Sequence, residues 1–344
     1  MPRVLIVAPN WIGDTLLAQP LFARLHRKLP GVVLDALAPP WTAPVLSRMP
    51  EIAEVIESPF RHGELAFAER RRLGHELRTR GYDNAIVLPN TLKSALVPFF
   101  AGIPIRIGFL GELRYGLLNV VHRLDEKKLP LMAERYLSLA EKPGDMPLRP
   151  LPEAKLRVDD SNRSAALERL GLSVERPIAA FCPGAEYGPA KRWPARHFAE
   201  LSRRLATQGY TVWLFGSDKD RDIGEEIAAS SEGAAVNLCG RTDLAEAIDL
   251  LSLAEVVVTN DSGLMHVAAG VGRPVVALYG SSSPEHTPPL AARARLVSIG
   301  IECSPCYARE CPLGHFKCMN DLPPERVLAE IAAVEEINRG QTTV

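Results

Sequence analysis

The stretch Thr259-Asn260-Asp261-Ser262-Gly263-Leu264-Met265-His266 follows a strand-like run at 255–258 and opens a helical run at 264–271. Strand, small polar turn and helix together aim unpaired backbone N–H groups and a helix dipole at an anion. Asp261 or Ser262 can cap that helix, and Gly263 lets a ligand approach the backbone closely. Taken alone, the pattern describes an ordinary capped helix of an α/β domain. It gains meaning from the polar turns that follow other strands of the chain.

Short apolar runs alternate with helical patterns on both sides of this stretch. In the first half, strands are expected at 4–8, 32–37, 54–56, 84–88 and 105–108, with helices at 15–29, 44–49, 64–80 and 92–101. In the second half, strands are expected at 178–182, 211–215, 235–238, 255–259 and 275–279, with helices at 196–208, 220–229, 244–253 and 264–271. Uniformly apolar strands in this alternation predict an α/β chain of doubly wound parallel sheets, covered on both faces. The segment 142–152, rich in proline, favours an extended connector. Domains are therefore expected at 1–150 and 151–323, with a C-terminal helix and tail at 324–344.

The 344 residues, 47% hydrophobic, suffice for two cores, since one core seldom grows beyond about 250–300 residues. Formal net charge is −1, which calls for no nucleic acid, but residues 1–150 carry +5 and the remainder −6. A basic front half suits an anionic partner, and equally an ordinary solvated surface. No run of 18 apolar residues exists to span a membrane. The N-terminus lacks the apolar region and cleavage site of a signal peptide, so a cytoplasmic protein with reduced cysteines is expected.

Ligands of open α/β sheets sit outside the carboxyl ends of the strands. After the first strand comes Pro9-Asn10-Trp11-Ile12-Gly13-Asp14, where Asp14 reads as a helix cap or a catalytic carboxylate. After the first strand of the second half comes Pro183-Gly184-Ala185-Glu186-Tyr187-Gly188-Pro189-Ala190-Lys191-Arg192-Trp193-Pro194, a shaped loop carrying two cations that can hold a phosphate. Neither GxxxxGK[ST] nor GxGxxG is present, which disfavours a P-loop enzyme and a dehydrogenase. Asp220, after the next strand, reads as a ribose ligand or a helix cap. Asn90, Thr91 and Lys93, with Arg114 and Tyr115, are candidates to line an acceptor site.

Taken together, these motifs resemble the ADP-heptose:lipopolysaccharide heptosyltransferases, and within that family the heptosyltransferase II branch most. The resemblance runs from Val4 to about Pro289 through 11–14, 89–96, 114–119, 181–194 and 260–266. It implies a GT-B fold, two Rossmann-like domains facing a cleft, with the acceptor on the first and the nucleotide sugar on the second. It also implies inverting, metal-independent transfer of heptose from ADP-heptose onto the first heptose of a lipid A–Kdo–heptose acceptor at the cytoplasmic face of the inner membrane. Asp14 matches the general base and Lys191 the phosphate-binding lysine. Gly184, Arg192, Asp220, Asp261, Ser262, Gly263 and His266 then fall to the nucleotide sugar, and Trp11, Gly13, Asn90, Lys93 and Arg114 to the acceptor. The alternatives are another GT-B enzyme, such as a heptosyltransferase I or a nucleotide-sugar epimerase, and a silent nucleotide- or glycolipid-binding module.

Two features lie outside that pattern. Cys303, Cys306, Cys311 and Cys318, with His315 among them, form C-x2-C-x4-C-x6-C. They read either as a structural zinc or iron–sulfur site or as a reduced, partly buried loop. Arg70-Arg71-Arg72, Arg78 and Arg80, preceded by Arg61 and His62, read as contacts to acceptor anions and lipid headgroups or as a solvated helix.

Overall fold

The computed structural model describes residues 1–61 and 63–341, with side chains through Val334; His62 and 342–344 lie outside the described residues. The chain divides into two compact units, Met1–Pro152 and Glu153–Val344. Between Ser138 and Asp160 there is no helix or strand.

The first unit is a six-stranded parallel sheet of β1 (Arg3–Val7), β2 (Val33–Ala38), β3 (Glu54–Glu57), β4 (Asn84–Val87), β5 (Ile105–Phe109) and β6 (Val120–His122), in the order β3-β2-β1-β4-β5-β6. The second is another six-stranded parallel sheet of β7 (Ile178–Cys182), β8 (Thr211–Leu214), β9 (Ala235–Asn237), β10 (Ala254–Asn260), β11 (Val275–Leu278) and β12 (Ala294–Val297), in the order β12-β11-β10-β7-β8-β9. Numbered from its own first strand, each sheet runs 3-2-1-4-5-6. Central strands such as β1, β7 and β11 are buried almost throughout, as covering by helices on both faces requires. On one face of the second sheet the Ala195–Thr207 helix presses Phe198, Leu201 and Leu205 against Phe181 and Leu214, with Trp193 edge-on to Phe198.

Strand order reverses between β1 and β4, and again between β7 and β10. At such a point the crossover helices leave on opposite faces and a crevice opens at the carboxyl ends. The turns after these four strands are four of the polar turns that the sequence singles out; the one with Asp220 follows β8.

Several elements differ from expectation. The helix expected at 15–29 is two, Ile12–Leu17 and Gln19–Lys28, with Pro20 in the first turn of the second. The run 92–101 opens as a 3₁₀ turn, Leu92–Ala95, before the Leu96–Phe100 helix. The run 64–80 is the helix Phe67–Leu77 with a 3₁₀ turn at Arg78–Arg80. Strands β6 and β12, and the helices Met132–Ser138, Asp160–Leu170 and Lys317–Asn320, were not expected. Among the described residues, no helix is long and apolar enough to cross a membrane.

Candidate active site

In the second unit the turns after β7 and β10 are tied together by one side chain. Asn260, fully buried at the end of β10, donates from Nδ2 to the Pro183 carbonyl (2.7 Å) and accepts the Trp193 N–H at Oδ1 (3.0 Å). Both ends of the 183–194 loop thus hang on Asn260, to which the sequence reading assigned no role. A buried amide at a strand terminus was the available signal, because such a group needs several partners.

Lys191, in the 3₁₀ turn Pro189–Lys191, places its Nζ 2.6 Å from Asp261 Oδ2. Asp261 therefore does not cap the Gly263–Gly270 helix. Ser262 occupies the cap position, but its side chain makes no cap hydrogen bond and its Oγ lies 3.3 Å from Thr259 Oγ1. The expected side-chain cap is thus corrected: no cap side chain closes the amides of this first turn, and a cation stands beside them. His266, one turn along, is 4% exposed. Burial pushes its imidazole down to about 4, against the pull of Asp261 and with the push of Lys191, so it is neutral near pH 7.

Gly184 and Asp220 touch. A Cβ at Gly184 would lie 2.5 Å from the Asp220 carboxyl carbon, so only glycine admits that carboxylate. Asp220 Oδ2 accepts the Ser217 N–H (2.9 Å) and hydroxyl (2.8 Å) in a capping box, while Oδ1 faces Arg192 Nη2 at 3.9 Å. The Asp220 carboxylate thus reaches back to Ser217, the cap of the 3₁₀ turn Asp218–Asp220, makes no side-chain cap bond to the Arg221–Ser230 helix, and turns one oxygen towards the cation.

In the first unit, Asp14 lies in the first turn of the Ile12–Leu17 helix. The cap position belongs to Trp11, which is 48% exposed and forms no side-chain cap bond. Asp14 is thus inside the helix rather than capping it. Burial, reinforced by the Asp14 carboxylate, pushes the Tyr136 hydroxyl well up, which sets the acid beside a neutral phenol. Asn90 is exposed, and Lys93, in the next 3₁₀ turn, is half-buried.

Arg114 corrects an expectation. It is fully buried, with Nη1 donating to the carbonyls of Pro89 (2.6 Å) and Thr91 (3.2 Å), and Nη2 to Phe109 (2.5 Å) and Asn90 Oδ1 (3.3 Å). Burial pulls its guanidinium down to about 10. It shapes the turn after β4 instead of meeting an acceptor. Arg70 is corrected likewise: 8% exposed, it lies 4.0 Å over the Phe60 ring and donates to the carbonyls of Leu65 (2.7 Å) and Lys93 (3.3 Å). Arg71, Arg72 and Arg78 are exposed.

All six cysteines are free. Cys303, Cys306, Cys311 and Cys318 line one small cavity of about 20 Å³ together with His315 and Ala190. Cys311 Sγ accepts the Phe316 N–H (3.4 Å), and backbone N–H groups led by that of Phe316 lower its thiol. Yet among the described residues no group of three or more His, Cys, Asp or Glu is arranged to hold a metal ion, so the metal reading of the cysteines lacks structural support. Cys318 packs against the core of the second sheet.

A family model described as glycosyltransferase family 9 (heptosyltransferase) matches residues 70–317. The chain is 47% identical to lipopolysaccharide heptosyltransferase 2 of Escherichia coli K12, over 96% of this chain and 98% of that one. It is 44% identical to lipooligosaccharide heptosyltransferase 2 of Haemophilus influenzae, with the same coverage. The solved structure of E. coli ADP-heptose LPS heptosyltransferase II is similar with a TM-score of 0.88 and 45% identity, covering 98% of this chain and all of that one. With two sheets of this order and these matches, the chain belongs to glycosyltransferase family 9, the heptosyltransferases, and is an α/β glycosyltransferase of GT-B architecture.

Proposed function

We propose that this enzyme moves a heptose from ADP-heptose onto the first heptose of a lipid A–Kdo–heptose acceptor, with inversion. The observation that carries the donor side is Lys191, paired with Asp261 at 2.6 Å beside a helix start that no cap side chain closes. A diphosphate meets there one cation and a set of oriented amides, the combination that stabilises charge gathering on departing ADP. Arg192, Asp220, Gly184 and His266 shape the surroundings of that nucleotide, and the transfer is written without a metal.

On the acceptor side Asp14 takes the proton from the acceptor hydroxyl while its oxygen attacks the anomeric carbon and the bond to ADP breaks. Trp11 and Gly13 beside it, with Asn90 and Lys93 after β4, line the acceptor. The anionic glycolipid places the enzyme peripherally on the cytoplasmic face of the inner membrane.

The test is transfer from ADP-heptose to a mono-heptosylated Kdo–lipid A, with the non-heptosylated acceptor beside it. Product with the first acceptor alone is expected. Product with the second alone would identify a heptosyltransferase I, and no product with either, despite ADP binding, a silent module.

A further inference from the structure

Tyr187 lies in the loop after β7, four residues before Lys191, and was given no role by the sequence reading. Its ring carries two cations: Lys191 Nζ stands 5.0 Å from the ring centroid and Arg309 Cζ 5.2 Å from it. Its hydroxyl donates to the Tyr307 carbonyl at 2.9 Å. The same distant segment grips the loop a second time, where the Ala190 N–H donates to the Arg309 carbonyl (3.0 Å) and a Cβ at Gly188 would collide with that carbonyl. Tyr307 is itself tied to the strand end after β11 by its N–H donating to the Ser281 carbonyl (2.6 Å). The 303–311 segment is therefore a brace on the 183–194 loop, and Tyr187 is where brace and lysine meet.

We propose that Tyr187 is a positioning residue for the Lys191 ammonium. Asp261 is a strong partner, but a donor diphosphate competes with it for the same charge. As the ammonium turns towards phosphate, a ring face keeps a second favourable contact that moves little, so the cation stays within the loop instead of swinging into water. The Arg309 carbonyl anchors the loop at Ala190, and the Arg309 guanidinium and the Tyr307 carbonyl flank the ring. This rests on Lys191 meeting the donor's diphosphate.

The test compares Tyr187→Leu, which keeps bulk and loses the π face, with Tyr187→Phe, which keeps the face and loses the bond to Tyr307. A cation–π contact at a partly exposed site corresponds to about three- to thirty-fold in affinity. Tyr187→Leu is expected to weaken ADP binding by that factor in calorimetry and to leave the KM for acceptor unchanged. Tyr187→Phe should restore ADP binding to within about threefold of the parent. In a Lys191→Ala background, Tyr187→Leu should add nothing. Unchanged ADP affinity in Tyr187→Leu, or a Phe variant as weak as Leu, would overturn the proposal while leaving the donor reading intact. Normal ADP affinity in Lys191→Ala alone would overturn both.

Discussion

Replacing Lys191 by alanine separates a structural ion pair from a leaving-group cation, because the two roles respond differently to a second substitution. Lys191 Nζ sits 2.6 Å from Asp261 Oδ2, and the Asp261 side chain is 6% exposed against 17% for the lysine. Lys191→Ala therefore strands a carboxylate that water barely reaches. Breaking a buried pair from one side costs about 3–5 kcal/mol, and the lower end applies here because water can enter where the lysine was. Adding Asp261→Asn removes the stranded charge, so the double variant should regain most of that stability in denaturant unfolding. Catalysis should not follow. A charge-assisted contact to phosphate is worth about 1.5–3 kcal/mol, so ADP binding should weaken about 10- to 100-fold in both variants. Loss of one electrostatic stabiliser of the departing diphosphate should lower kcat by about 10²–10³ as well. Restored stability with ADP affinity still lost is the expected result. Parental ADP affinity in the double variant would make Lys191–Asp261 a structural pair and place the phosphates elsewhere.

Asp14→Asn should lower kcat by about 10²–10⁴ with ADP affinity nearly unchanged; near-normal turnover in the transfer assay would leave Asp14 a helix residue only. His266 should make the protein acid-sensitive: its imidazole titrates near 4 when folded, below its ordinary 6.5, so its contribution is present above pH 6.5 and is lost as pH falls from there towards 4. The full loss is about 3 kcal/mol, and unfolding curves of His266→Gln should fall less steeply than those of the parent across that window. Arg71→Glu with Arg72→Glu should raise the KM for acceptor but not for ADP-heptose, an effect shrinking as salt passes about 0.15 M, where the screening length is about 8 Å. Arg70→Ala should instead destabilise the fold by about 2 kcal/mol, since its guanidinium serves two part-buried carbonyl contacts.

Periodicity made the central strands legible because burial on both faces demands unbroken apolar runs, and β1, β7 and β11 obey it. It failed at β6 and β12, three- and four-residue edge strands that are half open to solvent and carry no such run. The site divided along the same line. Asp14, Lys191 and Asp261 drew attention because each lies in a turn that follows a strand, where chemistry collects in this class of sheet. Arg114, in the loop after β5, and Arg70, on the Phe67–Leu77 helix, misled because a guanidinium looks identical in sequence whether it faces a ligand or a backbone carbonyl. Only three-dimensional burial separates them: Arg114 is 0% and Arg70 8% exposed. The brace on Tyr187 was out of reach for a different reason. Its partners stand 120 residues away, and nothing in the spacing of Tyr307 or Arg309 foretells a contact with the loop after β7.

The repeated strand order bears on the proposed chemistry. A sheet of order 3-2-1-4-5-6 has one point of reversal and hence one crevice at its carboxyl edge. Inversion at an anomeric carbon brings the nucleophile to one face of the sugar while the leaving group departs from the other, so the base and the cation serving them cannot share a small patch. In the proposed reaction each unit supplies one member of the pair. The first has a carboxylate, Asp14, next to a phenol that burial keeps neutral. The second has an ammonium, Lys191, held by a carboxylate beside unfilled helix amides. Either arrangement alone would accept an anion or a hydroxyl and stop at binding. Asp261 lies 2.6 Å from that ammonium, and in this contact it holds the cation in place.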